Sequence, residues 1–139
     1  METLTKLSAR SLQYYIITRR WSTDLDFFRI EIKFFIELIS TVLTKQYDST
    51  LQMDFSDSMI KLQEMEPELA KSEFSVAEHL EKLELIADNK IPEIQETLAA
   101  EQACLEYLML DLAHEIRKLK TKVFNTIQIA HKFGQSNLG

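Results

Sequence analysis

Glycine and proline are nearly missing from this chain, two of each in 139 residues. So few turn-formers leave little room for hairpins or for a sheet of short strands, and the abundance of Leu, Ile, Glu, Lys and Gln points the same way. The expected fold class is all-α. Cysteine is almost as scarce. With Cys104 alone no intramolecular disulfide can form, so a fold held by disulfides is excluded and a reducing cytoplasm is the expected location. Long uncharged apolar runs are absent too. The most hydrophobic stretch, Trp21 to Val42, is interrupted by Asp26, Arg29, Glu31, Lys33 and Glu37, which excludes an ordinary transmembrane helix. The opening METLTKLSARSLQ lacks the apolar core of a signal peptide. The expectation is a soluble protein with no membrane partner.

Formal charge is −6, unevenly spread. Residues 1–47 carry seven Lys/Arg against five Asp/Glu, and residues 102–139 five against three, a net of +2 in each. Residues 48–101 carry four against fourteen, a net of −10. An acidic middle argues against nucleic acid as a partner, because phosphate binding needs a cationic stripe and the runs Arg19, Arg20 and Arg117, Lys118, Lys120, Lys122 are short.

What is present is helical periodicity. Trp21, Leu25, Phe28, Ile32, Phe35, Ile39 and Val42 alternate steps of four and three and define one helix stripe. Phe27, Ile30, Phe34 and Leu38 form a second stripe beside it, so this element belongs among other helices. Ser22, Thr23 and Asp24 are suited to cap a helix that starts there. Residues 1–20 are ambiguous: the stripe can be extended backwards through Thr18, Tyr14, Ser11, Leu7 and Leu4 only with polar interruptions. A second helix is expected over 49–87, capped by Asp48 or Ser49 and kinked near Pro67, since the apolar register passes across that proline unchanged. A third is expected over 92–132, with Pro92 in its first turn, Gly134 ending it in a left-handed conformation and 134–139 a flexible tail.

The chain therefore reads as a single helical-bundle domain, 1–139, in which three main helices run antiparallel, up and down, and two are long and coiled-coil-like. At 1.5 Å per residue the second and third helices extend about 60 Å and the first only about 35 Å. Val76, Leu80, Leu83, Leu98 and Leu105 are then left without a third layer, and either residues 4–20 or a second chain must cover them. These five are the candidate interface residues, and the expected partner is a second copy, as a dimer, or another helical protein.

Candidate chemistry is sparse. His79 stands beside Glu78, Glu81 and Glu84, the setting of a solvated or ion-paired surface histidine. With Lys82 it resembles the His-x-x-Lys core of histidine phosphotransfer domains, which are also helical bundles, although Leu83 stands where that family has glycine. The resemblance implies a phosphorelay role for His79. Asp111 and His114, three apart, resemble the carboxylate-x-x-His ligands of di-iron bundles and are weak metal candidates, possible only with a buried Glu31 or Glu37 of the first helix. The second such pair is missing, so no metal and no cofactor is expected. Cys104 reads as a packed thiol. No phosphate-binding glycine loop, nucleophile elbow or zinc spacing occurs. The expected function is a non-enzymatic interaction or structural module, with a metal- or small-ligand-binding bundle and a phosphotransfer-like module as alternatives.

Overall fold

The computed structural model of the chain describes residues 7–45 and 47–138, with side chains as far as 132. Leu4 and Gly139, to which the expectations above extend, lie outside the described residues. Three helices account for almost all of it: α1 (Ala9–Val42), α2 (Ser49–Ala87) and α3 (Gln95–Leu138). No strand occurs among the described residues, and the protein is an all-α helical bundle.

The helices pack along seams whose regularity explains the fold. On α2 a buried stripe runs through Leu51, Phe55, Ser58, Leu62, Met65, Leu69, Ser72, Val76, His79, Leu83 and Ile86, in unbroken steps of four and three, with Ala87 buried beside its end. On α3 the same rhythm runs from Leu98 through Gln102, Leu105 and Met109 to Thr126 and Ala130. An average spacing of 3.5 residues keeps one stripe of each helix facing its neighbours over the whole length.

The chain divides into two compact units, one of residues 1–27 and 69–112, the other of residues 28–68 and 113–139. In the first unit, Leu7 at the head of α1 joins Leu83, Ile86, Ala87 and Leu98, with Leu12, Tyr14, Tyr15 and Ile91 around them. Partners there rise in number together on α1 and α3 (Ser11 with Gln95, Thr18 with Gln102) but run oppositely on α2 and α3 (Leu83 with Leu98, His79 with Gln102). The order is up, down, up. The second unit buries Ile32, Phe35 and Ile39 of α1, Phe55 and Leu62 of α2, and Ile116 and Val123 of α3.

Helix ends follow local chemistry. Asp48 caps α2, its carboxylate accepting the Leu51 N–H at 2.8 Å. The C-terminus of α2 closes with the Lys90 N–H on the Leu85 carbonyl and the Asn89 N–H on the Ile86 carbonyl. Asn89 takes the left-handed conformation that this paired closure needs, with φ 59°. Ser8 caps α1 through its hydroxyl, which accepts the Ser11 N–H at 3.2 Å.

Three boundaries differ from the sequence expectation. α1 begins at Ala9, not near residue 23, because the two polar interruptions are satisfied where they lie: the Thr18 hydroxyl donates to the Tyr14 carbonyl at 2.6 Å, and the Ser11 hydroxyl donates to the Glu93 carboxylate. Ser22, Thr23 and Asp24 consequently lie inside the helix. α3 begins at Gln95, so Pro92 stands before it in the connection rather than in its first turn. Gly134 does not end α3, which continues to Leu138; glycine permits a left-handed stop but does not impose one. Pro67 lies within an α2 that is assigned as one helix. It is tolerated because it is exposed, off the seam between Met65 and Leu69, and the Gln63 carbonyl it deprives of a donor belongs to an exposed residue that water can reach.

Candidate functional site

In the first unit, the residues expected to form an open seam are enclosed. Val76, Leu83 and Leu98 are fully buried, Leu105 is buried and Leu80 half-buried. The amino-terminal part of α1, with Ser11, Thr18 and Trp21 on its inner stripe and Leu7 just before it, supplies the third layer of this unit. These five residues are packed within the chain.

His79 is also inside, only 4% exposed, rather than on a solvated face. It occupies a seam position of α2, and its ring meets α3 at two points: Nε2 lies 2.8 Å from Gln102 Oε1, and Nδ1 lies 3.2 Å from Glu101 Oε2. Lys82, one turn further along α2, donates to Glu101 Oε1 at 2.7 Å. The Thr18 hydroxyl of α1 approaches the same Gln102 oxygen at 3.4 Å. All three helices thus contribute to one polar cluster inside an apolar seam. Burial pushes the Glu101 carboxyl up, but the hydrogen bond and charge of Lys82, with those of His79, outweigh it and hold the group below its ordinary value.

Beside the cluster runs a groove of about 570 Å³ between α2 and α3, bordered by Glu78, Glu81, Lys82, Glu101, Cys104 and Leu105. Its histidine and lysine are already committed. Both ring nitrogens of His79 face oxygens, and Lys82 is paired. A phosphoryl-accepting nitrogen must reach its donor, and neither ring nitrogen points to solvent. Cys104 is exposed rather than packed, since it lies one position before the seam residue Leu105.

Asp111 and His114 are exposed on α3, and among the described residues no group of three or more His, Cys, Asp or Glu side chains is arranged to hold a metal ion. Glu31 takes Lys120 of α3 as its ion-pair partner. Glu37 is exposed.

A second polar cluster sits at the start of α1. The Glu93 carboxylate accepts hydrogen bonds from Ser8 at 2.6 Å, from Ser11, and from Gln95 Nε2 at 2.7 Å. The Ser11 bond first and the Ser8 bond next hold the Glu93 carboxyl below its ordinary range. This clamp secures the first turn of α1 over the end of the first unit.

Exposed apolar side chains occur on all three helices, among them Met53 and Ile60 on α2 and Tyr107 and Leu110 on α3, and one group of them lies on α1. Phe27, Ile30 and Phe34 are 60, 63 and 56% exposed, and they follow one another at steps of three and four. Thr23, Glu37 and Thr41 continue the line and are also exposed. Within the second unit, Phe34 packs edge-on against the buried Phe35 with ring centres 5.4 Å apart, and Phe35 meets Phe124 of α3 in the same way at 5.3 Å. Phe124 is itself half-exposed. Phe35, itself buried, thus touches both Phe34 of the exposed face and Phe124 of α3. The sequence displayed this stripe, but its residues read as an additional buried side of a central helix.

No helix among the described residues is long and apolar enough to cross a membrane. Comparison of the chain with protein-family models, with curated proteins and with solved structures finds no match.

Proposed function

We propose that this chain is a non-enzymatic helical interaction module whose contact surface is the outer face of α1, centred on Ile30 and Phe34, and whose partner is another amphipathic helix. The carrying observation is the exposure of two large apolar side chains about one turn apart on α1, Ile30 and Phe34. Apolar groups so placed gain about 25 cal/mol per Å² when a partner removes them from water. A helix presenting its own stripe at steps of three, four and seven is the complementary shape.

A net charge of −6 and an acidic α2 favour protein over nucleic acid as the partner. The exposed Cys104 fits a reducing cytoplasm, where it would remain a thiol.

The test is a fluorescence-anisotropy titration of a labelled amphipathic Leu-stripe peptide with the full chain and with Phe34→Glu and Ile30→Asp. Both positions are exposed, so helix content and thermal midpoint should match the parent while the affinity falls at least tenfold. Equal affinity for the parent and both folded variants, or no binding by any of them, would overturn the reading.

A further inference from the structure

We infer that the groove between α2 and α3 of the first unit is a binding site for a small organic cation with an apolar body, the class of an arylalkylamine. None of the groove's residues belongs to the exposed face of α1, so the inference stands independently of the interaction reading.

The argument begins with what lines the groove and what is already satisfied there. Leu85 of α2 and Leu105 of α3 give it apolar walls. Lys82 and Glu101 neutralise one another at 2.7 Å, and both nitrogens of His79 are engaged. Glu78 and Glu81 differ. They line the groove, both are exposed, and neither has a hydrogen-bond or ion-pair partner among the described residues. His79 faces Gln102 and Lys82 faces Glu101, so by the same antiparallel register Glu78 comes level with the exposed thiol of Cys104. The groove therefore offers two uncompensated carboxylates and two leucines, and its one lysine is spent.

Those groups select the ligand. An anion meets Glu78 and Glu81 with no free cation to offset them. A metal ion needs its ligands gathered round one point, and among the described residues no group of three or more His, Cys, Asp or Glu side chains is so gathered. An ammonium group attached to an apolar body satisfies both parts, its charge between the carboxylates and its body against Leu85 and Leu105. The volume of about 570 Å³ lies inside the range of roughly 300–1,000 Å³ for small-molecule sites. Exposed ion pairs are weak, so the apolar contact has to supply much of the affinity, which favours an aromatic amine over a bare polyamine.

Cys104 is the only cysteine of the chain and lines the groove, so its alkylation by uncharged iodoacetamide reports occupancy. The experiment measures that rate on the full chain, relative to N-acetylcysteine in the same mixture, with three probes. Tryptamine carries a ring and an ammonium group, indole-3-propionate the same ring with a carboxylate, and putrescine two ammonium groups without a ring. Millimolar tryptamine should slow the alkylation, indole-3-propionate should leave it unchanged, and putrescine should act far more weakly. In the double variant Glu78→Gln, Glu81→Gln the half-protecting concentration should rise about tenfold, from two exposed ion pairs at about threefold each. Glu64→Gln, which removes the same charge from an exposed position of the second unit, should change nothing. No protection by tryptamine would overturn the inference, as would equal protection by either of the other probes or equal weakening in Glu64→Gln. Protection by a lysine-rich peptide without protection by tryptamine would assign the groove to a protein and overturn it too.

Discussion

His79 Nε2 and Gln102 Oε1 lie 2.8 Å apart in the buried seam between α2 and α3, with Glu101 Oε2 on the other ring nitrogen. A ring facing two oxygens donates to both only as imidazolium. The alternative is a neutral ring, with Nδ1–H donating to Glu101 and the Gln102 amide turned over so that its NH2 donates to Nε2. Gln102 Nε2, which is buried and otherwise has no partner among the described residues, gains one in that arrangement. Either way the histidine joins α2 to α3 through groups that burial makes costly to leave unpaired. His79→Ala should therefore destabilise the fold by about 2–3 kcal/mol, the range for orphaning buried polar partners and opening a small cavity. Urea unfolding of the variant measures it; a change within experimental error would show that the cluster is dispensable.

The two perturbed carboxylates set the acid limb of stability. Glu93 and Glu101 both have folded-state values lowered from 4.5, so each contributes stability that is present above pH 4.5 and is lost as pH falls through its lower folded value. Unfolding midpoints should be flat near neutrality and decline below about pH 4.5. In Glu93→Gln that decline should be shallower and the neutral-pH midpoint lower, because the amide takes up no proton and accepts the Ser8 and Ser11 hydrogen bonds less strongly. A parallel acid limb in the parent and the variant would remove Glu93 from the account.

Ser58 offers the opposite case. It occupies a seam position of α2, is fully buried, and its hydroxyl finds no partner among the described residues. Ser58→Ala removes an unpaired hydroxyl and keeps a small side chain, so stability should be unchanged or rise by about 1 kcal/mol. Thr126, on the α3 seam, differs because its hydroxyl donates to the Lys122 carbonyl at 2.8 Å. Calorimetric midpoints of the two alanine variants should move apart, with Thr126→Ala the lower.

These polar seam residues also mark how far the sequence could be read. The class of fold, the three elements and the cap at Asp48 follow from periodicity and local chemistry. The register on α2 was legible only as apolar identity, which selects Met59 and Leu80. The structure half-buries both and gives the fully buried places to Ser58 and His79, because an unbroken alternation of four and three requires those positions whatever residue stands there. The same substitution of rule for residue hid the start of α1. Ser11 and Thr18 read as breaks in a stripe, yet their hydrogen-bond partners, Glu93 and the Tyr14 carbonyl, make them as buriable as leucine. Nothing in the chain's own numbering ties Ser11 to Glu93 or His79 to Gln102, and so the polar clusters were out of reach. The open face of α1 was in view and misassigned, since a broad apolar circumference looks the same whether other helices of the chain or a second chain cover it.

Pro67 gives the sharpest test of the packing argument. A proline inside a helix removes the hydrogen bond to the carbonyl four residues back, here that of Gln63, and crowds it, at about 3 kcal/mol relative to alanine in an unconstrained helix. α2 nevertheless continues through it, with Met65 and Leu69 both buried on the seam to either side. If the seam holds α2 helical and Pro67 merely weighs against it from the exposed side, Pro67→Ala should restore the bond without disturbing any contact and raise stability by about 1–3 kcal/mol. If instead the backbone around Gln63 has adapted to the proline and the seam depends on that adaptation, the alanine variant would straighten the helix and displace Met65 or Leu69, and stability would fall. Chemical denaturation of Pro67→Ala, with the slope of the transition unchanged from the parent, separates these outcomes, and the packing described above requires the first.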